Sequence, residues 1–237
     1  MNIISIRDIR KVYHIGTEKV VALGRISLSV AQGEICCILG TSGSGKSTLL
    51  NIMAGLERPS RGNVVIGGTD VTRYNEKQWA LFRQKNIGFI FQSYDLLPTM
   101  TALENVAMPL AFRGMDKEIR TRKAVKMLRA VRLGNRMLHR PTQMSGGQQQ
   151  RVGIARAFVA RPRLIFADEP TGNLDSKTGR EVMELMVSMA RKYRETLIIV
   201  THDPEIAKYA GRVIKIHDGS KISDERNTEA MGTKEES

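Results

Sequence analysis

The stretch Gly40-Thr41-Ser42-Gly43-Ser44-Gly45-Lys46-Ser47-Thr48 gathers glycines, hydroxyls and one lysine into a single turn. Glycines let backbone N–H groups converge on one point with no Cβ in the way. A helix beginning there adds partial positive charge at its N-terminus. Such a loop suits phosphate oxygens: Lys46 can reach the β- and γ-phosphates of a nucleotide, and the Ser47 hydroxyl can ligate Mg²⁺. A second glycine-rich turn, Met144-Ser145-Gly146-Gly147-Gln148, opens another predicted helix further along. The chain therefore offers two places for phosphate oxygens. Two adjacent carboxylates, Asp168 and Glu169, and one imidazole, His202, complete the reactive set. Adjacent residues at a strand end point different ways, so Asp168 can hold Mg²⁺ through water while Glu169 orients and deprotonates an attacking water.

These groups sit at the ends of apolar runs. Residues 34–39 read as a buried strand and 47–56 as a helix, which is the strand–loop–helix setting of a phosphate-binding loop. The run from Arg163 ends at Asp168, and the run Thr196–Val200 leads into Thr201-His202-Asp203-Pro204. Uninterrupted apolar runs suit parallel strands buried on both faces, whose ligands lie beyond the carboxyl ends. That placement aims His202 at the γ-phosphate or the attacking water. His14, His139 and His217 have no such setting and read as surface or packing residues. Ser145 can cap a helix predicted over 149–160. Residues 1–35 read as strands, and a further strand spans 87–91. Residues 93–160 are helix-rich, broken at Pro98, Pro109, Gly114, Gly134 and Pro141. The expected fold is α/β: a nucleotide-binding core of residues 1–92 and 161–220, a helical subdomain inserted at 93–160, and a polar tail at 221–237 without order.

With these residues the chain resembles an ATP-binding-cassette (ABC) ATPase over roughly residues 1–220. The resemblance implies a P-loop NTPase core with a mixed, mostly parallel sheet, an antiparallel β subdomain and the inserted helical subdomain. It implies that Tyr13 stacks on adenine and that Gln92 touches Mg²⁺ and the attacking water while joining the subdomains. Ser145-Gly146-Gly147-Gln148 resembles the family signature, which completes the ATP site of a second copy in a head-to-tail homodimer. Met144 departs from the usual Leu, a swap of similar volume. Gly172-Asn173-Leu174-Asp175 resembles the loop that carries Asp175 toward the nucleotide, and His202 the switch histidine. The implied cofactors are ATP and Mg²⁺.

A narrower resemblance, to the macrolide-exporter and lipoprotein-release subfamily, rests on several stretches. They are Gly16–Leu23, Ile87–Gln92, Leu96–Thr101 with Glu104-Asn105-Val106, and Phe166–Asp175. It implies a motor for export or extrusion, paired with a membrane permease that has a large extracytoplasmic domain. A regulatory ATPase of cell-division type, acting on a membrane partner without transport, is the alternative. Residues 93–100 either form subdomain core or, as the resemblance implies, help receive the permease's cytoplasmic helix, with the permease contacted through residues near 93–105.

At 237 residues and 41% hydrophobic content, the chain can bury a sizeable core. No apolar run approaches the roughly 20 residues of a membrane helix. The charged start lacks a signal-peptide core. The expected place is the cytoplasmic face of the membrane, reached through the permease. Cys36 and Cys37, adjacent in a strand, read as core residues and not as a bridge. The net charge is +13. The densest basic stretch, Lys117–Arg140, puts Arg122, Lys126 and Arg129 on one helical face and Ala124, Leu128 and Val131 on another. Its basic face is either solvated or drawn to an acidic membrane surface. Nucleic acid is not expected, since aromatics are 5% and no stacking motif occurs.

Overall fold

The computed structural model describes residues 1–228 and residue 230. Two sheets and a set of helices form the molecule. A four-stranded antiparallel sheet runs in the order β2 (Glu18–Ala31), β1 (Asn2–Ile15), β4 (Arg61–Ile66), β5 (Thr69–Asp70). A six-stranded sheet runs β10 (Ser220–Arg226), β9 (Arg212–His217), β3 (Ile35–Leu39), β8 (Thr196–Thr201), β7 (Leu164–Asp168), β6 (Ile87–Phe91). Its strands are parallel except for β10, which pairs antiparallel with β9.

Strand alternation assigns each face of the large sheet its own core. Cys36, Ile38, Leu164, Phe166, Ile198 and Val200 face the antiparallel sheet and helix α1 (Lys46–Met53). Ile35, Cys37, Ile165, Ala167, Leu197 and Ile199 face the opposite layer. That layer contains α3 (Ala102–Phe112), α4 (Lys117–Ala130), α5 (Gly146–Val159) and α6 (Ser176–Tyr193). Cys36 and Cys37 are buried free thiols on opposite faces. Burial pushes both thiols up, Cys37 to about 12, so neither supplies a thiolate at neutral pH.

Helix ends follow their caps. Thr101 and Glu104 form a reciprocal capping box at α3, and Asn75 and Gln78 do so at α2 (Glu76–Asn86). Helix α5 begins at Gly146, directly after its Ser145 cap, three positions earlier than the sequence suggests. His14 and His217 are exposed, and His139 is half-buried with Nε2 2.9 Å from an Arg136 Nη1.

The expectation of an unordered tail from residue 221 fails for Lys221–Arg226, which belong to β10. The missed signal is Asp218-Gly219. Both have positive φ, 44° and 69°, as a tight two-residue hairpin requires. An edge strand needs only backbone pairing and one good side-chain contact, so its polarity was misleading. Of the rest of the tail, residues 229 and 231–237 lie outside the described residues.

Candidate active site

The parallel register brings the candidate residues to one edge. Leu39 pairs with Thr201, Asp168 with Val200, and Phe91 with Asp168. The residues that follow these strand ends, Gly40, His202, Glu169 and Gln92, therefore cluster. A cavity of about 450 Å³ opens there, lined by Ala22, Ser42, Gly43, Gly45, Lys46, Ser47, Thr48, Gln92, Glu169 and His202. Ala22 comes from β2, so the antiparallel sheet supplies one wall.

Helix α1 points its N-terminus into this cavity. Gly45 precedes it at φ 95°, a left-handed conformation, and no side chain among the described residues caps the helix. Its first-turn amides and dipole are therefore left without a side-chain acceptor. Gly40 is equally constrained, because a Cβ there would lie 2.2 Å from the Ile216 carbonyl oxygen. Lys46 is 6% exposed and donates from Nζ to the Thr41 carbonyl at 2.8 Å, which curls the loop over its own lysine. Ser44 is buried, and its Oγ has no partner among the described residues. A buried hydroxyl without a partner is costly unless a ligand satisfies it.

Glu169 is held from three sides. Its backbone sits at φ 44° and donates N–H to the Val200 carbonyl at 2.9 Å. The Thr201 hydroxyl donates to Oε2 at 3.0 Å, and His202 Nδ1 lies 2.8 Å from Oε1. His202 is mostly exposed and Glu169 mostly covered, so the imidazole forms the outer side of the pair. Asp168 is half-buried, and its Oδ1 has no partner among the described residues. Burial first, and the neighbouring Glu169 second, raise the Asp168 carboxyl above its ordinary range, while Lys46 opposes them.

Gln92 Nε2 donates to Asn173 Oδ1 at 3.2 Å, and Asn173 Nδ2 returns a bond to the Gln92 carbonyl at 3.1 Å. Tyr13 stands beside the loop helix. Its hydroxyl donates to Glu57 Oε2 at 2.8 Å and lies 3.5 Å from Thr48 Oγ1. Lys11 Nζ pairs with Glu57 at 2.8 Å and stands 5.0 Å from the Tyr13 ring centroid.

Ser145-Gly146-Gly147-Gln148 and Asp175 do not line this cavity. Ser145 and Gln148 form a reciprocal capping box at α5. Asp175 caps α6, its Oδ1 accepting from the Lys177 and Thr178 amides. The sequence reading missed Thr201, Asn173 and Ala22, which touch the reactive groups or the cavity. It also missed Gln150 and Arg156 of α5. Gln150 is buried and donates to the Phe91 and Pro170 carbonyls. Arg156 donates to the Tyr94 and Asp95 carbonyls. A glutamine and an arginine inside an otherwise mixed helix were the available signal.

Comparison with known proteins agrees with this geometry. A family model described as "ABC transporter" matches residues 23–172. The ABC transporter ATP-binding protein YtrE of Bacillus subtilis is 52% identical over 201 residues, spanning 85% of this chain and 87% of its own length. The lipoprotein-releasing system ATP-binding protein LolD of Geobacter metallireducens is 47% identical, spanning 94% of this chain and 99% of its own. The macrolide export ATP-binding/permease protein MacB of Brucella melitensis is 47% identical across 94% of this chain, a match to 34% of its own length. Among solved structures, the dimeric post-hydrolysis state of the ATP-binding cassette MJ0796 bound to ADP and Pi superposes with a TM-score of 0.87. It is 39% identical, covering 94% of this chain and 98% of that one. The glycine-rich loop, the two carboxylates and the histidine thus stand in a chain that belongs to the ABC transporter family, as one of its ATP-binding ATPases.

Proposed function

We propose that this chain is the motor of an export or extrusion complex. ATP closes two copies head to tail, hydrolysis reopens them, and the motion passes through residues near 93–105 to a membrane permease. The observation that carries this reading is Glu169, braced by Thr201 and His202 in the same cavity as the uncapped α1 N-terminus and Lys46. In this reading the loop amides and Lys46 hold the β- and γ-phosphates, with Gly40, Thr41, Ser42, Gly43, Ser44, Gly45 and Thr48 shaping their cradle. Tyr13 supports the base. The buried Ser44 hydroxyl and the free Oδ1 of Asp168 are polar atoms awaiting such a ligand.

Ser47, Gln92 and Asp168 are the residues that would hold Mg²⁺. Hydroxyl, amide and carboxylate oxygens form a hard donor set suited to that ion. When bound, Mg²⁺ supplies charge neutralisation to the phosphates. Glu169 takes the proton of the attacking water, and His202 holds the carboxylate in place. Ser145, Gly146, Gly147 and Gln148, with Asp175, complete the site of the partner copy. The complex would lie at the cytoplasmic face of a membrane, and no helix among the described residues is long and apolar enough to cross one.

The test is Glu169→Gln. We expect near-normal ATP binding, turnover reduced about 100-fold or more, and an ATP-dependent dimer on size-exclusion chromatography. Turnover close to wild type would remove Glu169 from the role of base.

A further inference from the structure

The outer face of α4 has no part in the site above and carries a charge imbalance. Between Lys117 and Arg140 there are nine Lys and Arg residues and one acidic residue, Glu118, so this stretch holds +8 of the chain's +13. None of the nine forms an ion pair among the described residues. Helical spacing concentrates the charge. Ala124, Met127 and Leu128 are buried against the helical layer. Arg122, Lys126 and Arg129 are exposed and, with Ile119, occupy the opposite side at intervals of three and four residues. Ile119 is itself 42% exposed, so the stripe pairs cations with an apolar residue.

The helix before α4 in sequence also exposes a large apolar side chain. Phe112, 68% exposed at the end of α3, stands five residues before α4 and lines a groove with Met108, Pro109, Phe89 and Phe91. Like charges gathered on one face repel each other, and none of these side chains closes an ion pair among the described residues.

We propose that the Ile119–Arg129 face of α4 is a docking surface for anionic lipid headgroups, holding the subunit flat against the membrane beside its permease. Phosphodiester headgroups match guanidinium and ammonium groups spread over a convex helix. Ile119 and Phe112 suit the boundary between headgroups and acyl chains. Nucleic acid is the poorer match, because the stripe contains no aromatic on which a base could stack. The choice of a membrane rests in part on the proposed permease partnership, but the test needs no permease.

Purified full-length chain is floated with vesicles of phosphatidylcholine alone or with about 30% phosphatidylglycerol, a surface that attracts each nearby cation about fivefold. We expect binding to the anionic vesicles only, weakening as salt rises. Combined Arg122→Glu, Lys126→Glu and Arg129→Glu should reduce partitioning by at least about 100-fold with basal ATPase and thermal melting unchanged. Arg122→Lys with Arg129→Lys should retain binding, since charge is kept. Equal binding to neutral vesicles, full binding by the triple variant, no binding at all, or displacement by an RNA oligomer at low concentration would each overturn the proposal. None of these results bears on Glu169, so the proposed hydrolytic function stands or falls separately.

Discussion

Tyr13 shows how a single side chain is held in place beside the loop helix. Its ring is positioned by polar contacts: the hydroxyl donates to Glu57, and Glu57 is neutralised by Lys11, whose ammonium stands over the same ring. Lys11 also donates to the Arg58 carbonyl at 2.8 Å, which anchors the group to the turn after α1. Burial first raises the Tyr13 phenol above its ordinary value, so it remains a donor at neutral pH. If the ring supports the base, Glu57→Ala should weaken ATP about 3- to 10-fold, an effect the size of one ordinary net hydrogen bond, because the ring loses its anchor and not a contact of its own with ATP. Affinity for inorganic triphosphate should stay unchanged. Equilibrium binding of both ligands checks this, and equal weakening of both would point to damage of the phosphate loop instead. Glu169 makes a comparable demand on the backbone. Its left-handed φ of 44° is unusual for a residue with a side chain, and it persists where the chain turns from β7 toward the cavity.

At the scale of elements, the turn joining α6 to β8 contains a carboxyl that the site does not use. Glu195 is 5% exposed, and neither of its carboxylate oxygens has a hydrogen-bond partner among the described residues. Burial pushes its carboxyl up to about 8, against the opposing charge of Arg161. The folded chain therefore keeps this proton over a range in which the unfolded chain, with an ordinary value near 4.5, has lost it. Stability from this group is complete below about pH 4.5, falls as pH rises toward 8, and levels off above. Glu195→Gln preserves shape and removes the titration. Its unfolding free energy should fall less between pH 5 and pH 8 than that of wild type, with a ceiling of about 1.4 kcal/mol per unit. Urea melts at the two pH values test this, and parallel curves would show that Glu195 titrates normally. A second element-level feature is the Tyr94-Asp95 turn, with φ of 64° and 46°. Arg156 of α5 binds both carbonyls, so the segment after Gln92 is tied to the helix that the second glycine turn opens.

At the scale of the molecule, Arg212 joins the two sheets. From β9 it donates to the Ser29 carbonyl of β2, lies 3.3 Å from Glu34, and makes two bonds to Asp224 of β10. Asp224, through its hydrogen bonds and charge, raises Arg212 above its usual value, and Arg212 holds Asp224 below the ordinary carboxylate range. Both side chains are mostly covered. Asp224→Ala would leave the guanidinium half-buried with a weaker partner, at a cost of about 1–3 kcal/mol. Thermal or urea unfolding measures it, and a variant within 0.5 kcal/mol of wild type would show that solvent replaces the pair.

The candidate residues Asp168, Glu169 and His202 stood out in the sequence because each closes or follows an apolar run, and Lys46 because it ends a glycine-rich loop. A strand buried on both faces cannot carry Asp168, Glu169 or His202 in its interior, so these residues stand at or just after strand ends, whereas Lys46 lies beyond the loop that follows β3, at the first residue of α1. Alternation likewise separated Cys36 from Cys37. What the sequence left open was the pairing of distant segments. That Thr201 and His202 grip the same carboxylate depends on β8 lying next to β7, that Gln92 meets Asn173 depends on β6 lying next to β7, and that Tyr13 reaches Glu57 depends on how the antiparallel sheet packs on α1. Strand order is set by which apolar faces bury together, a choice among many nearly equivalent pairings that no local pattern encodes. The polar strand β10 marks the same limit, since its order comes from the backbone of β9 and the side chain of Arg212 and not from its own residues.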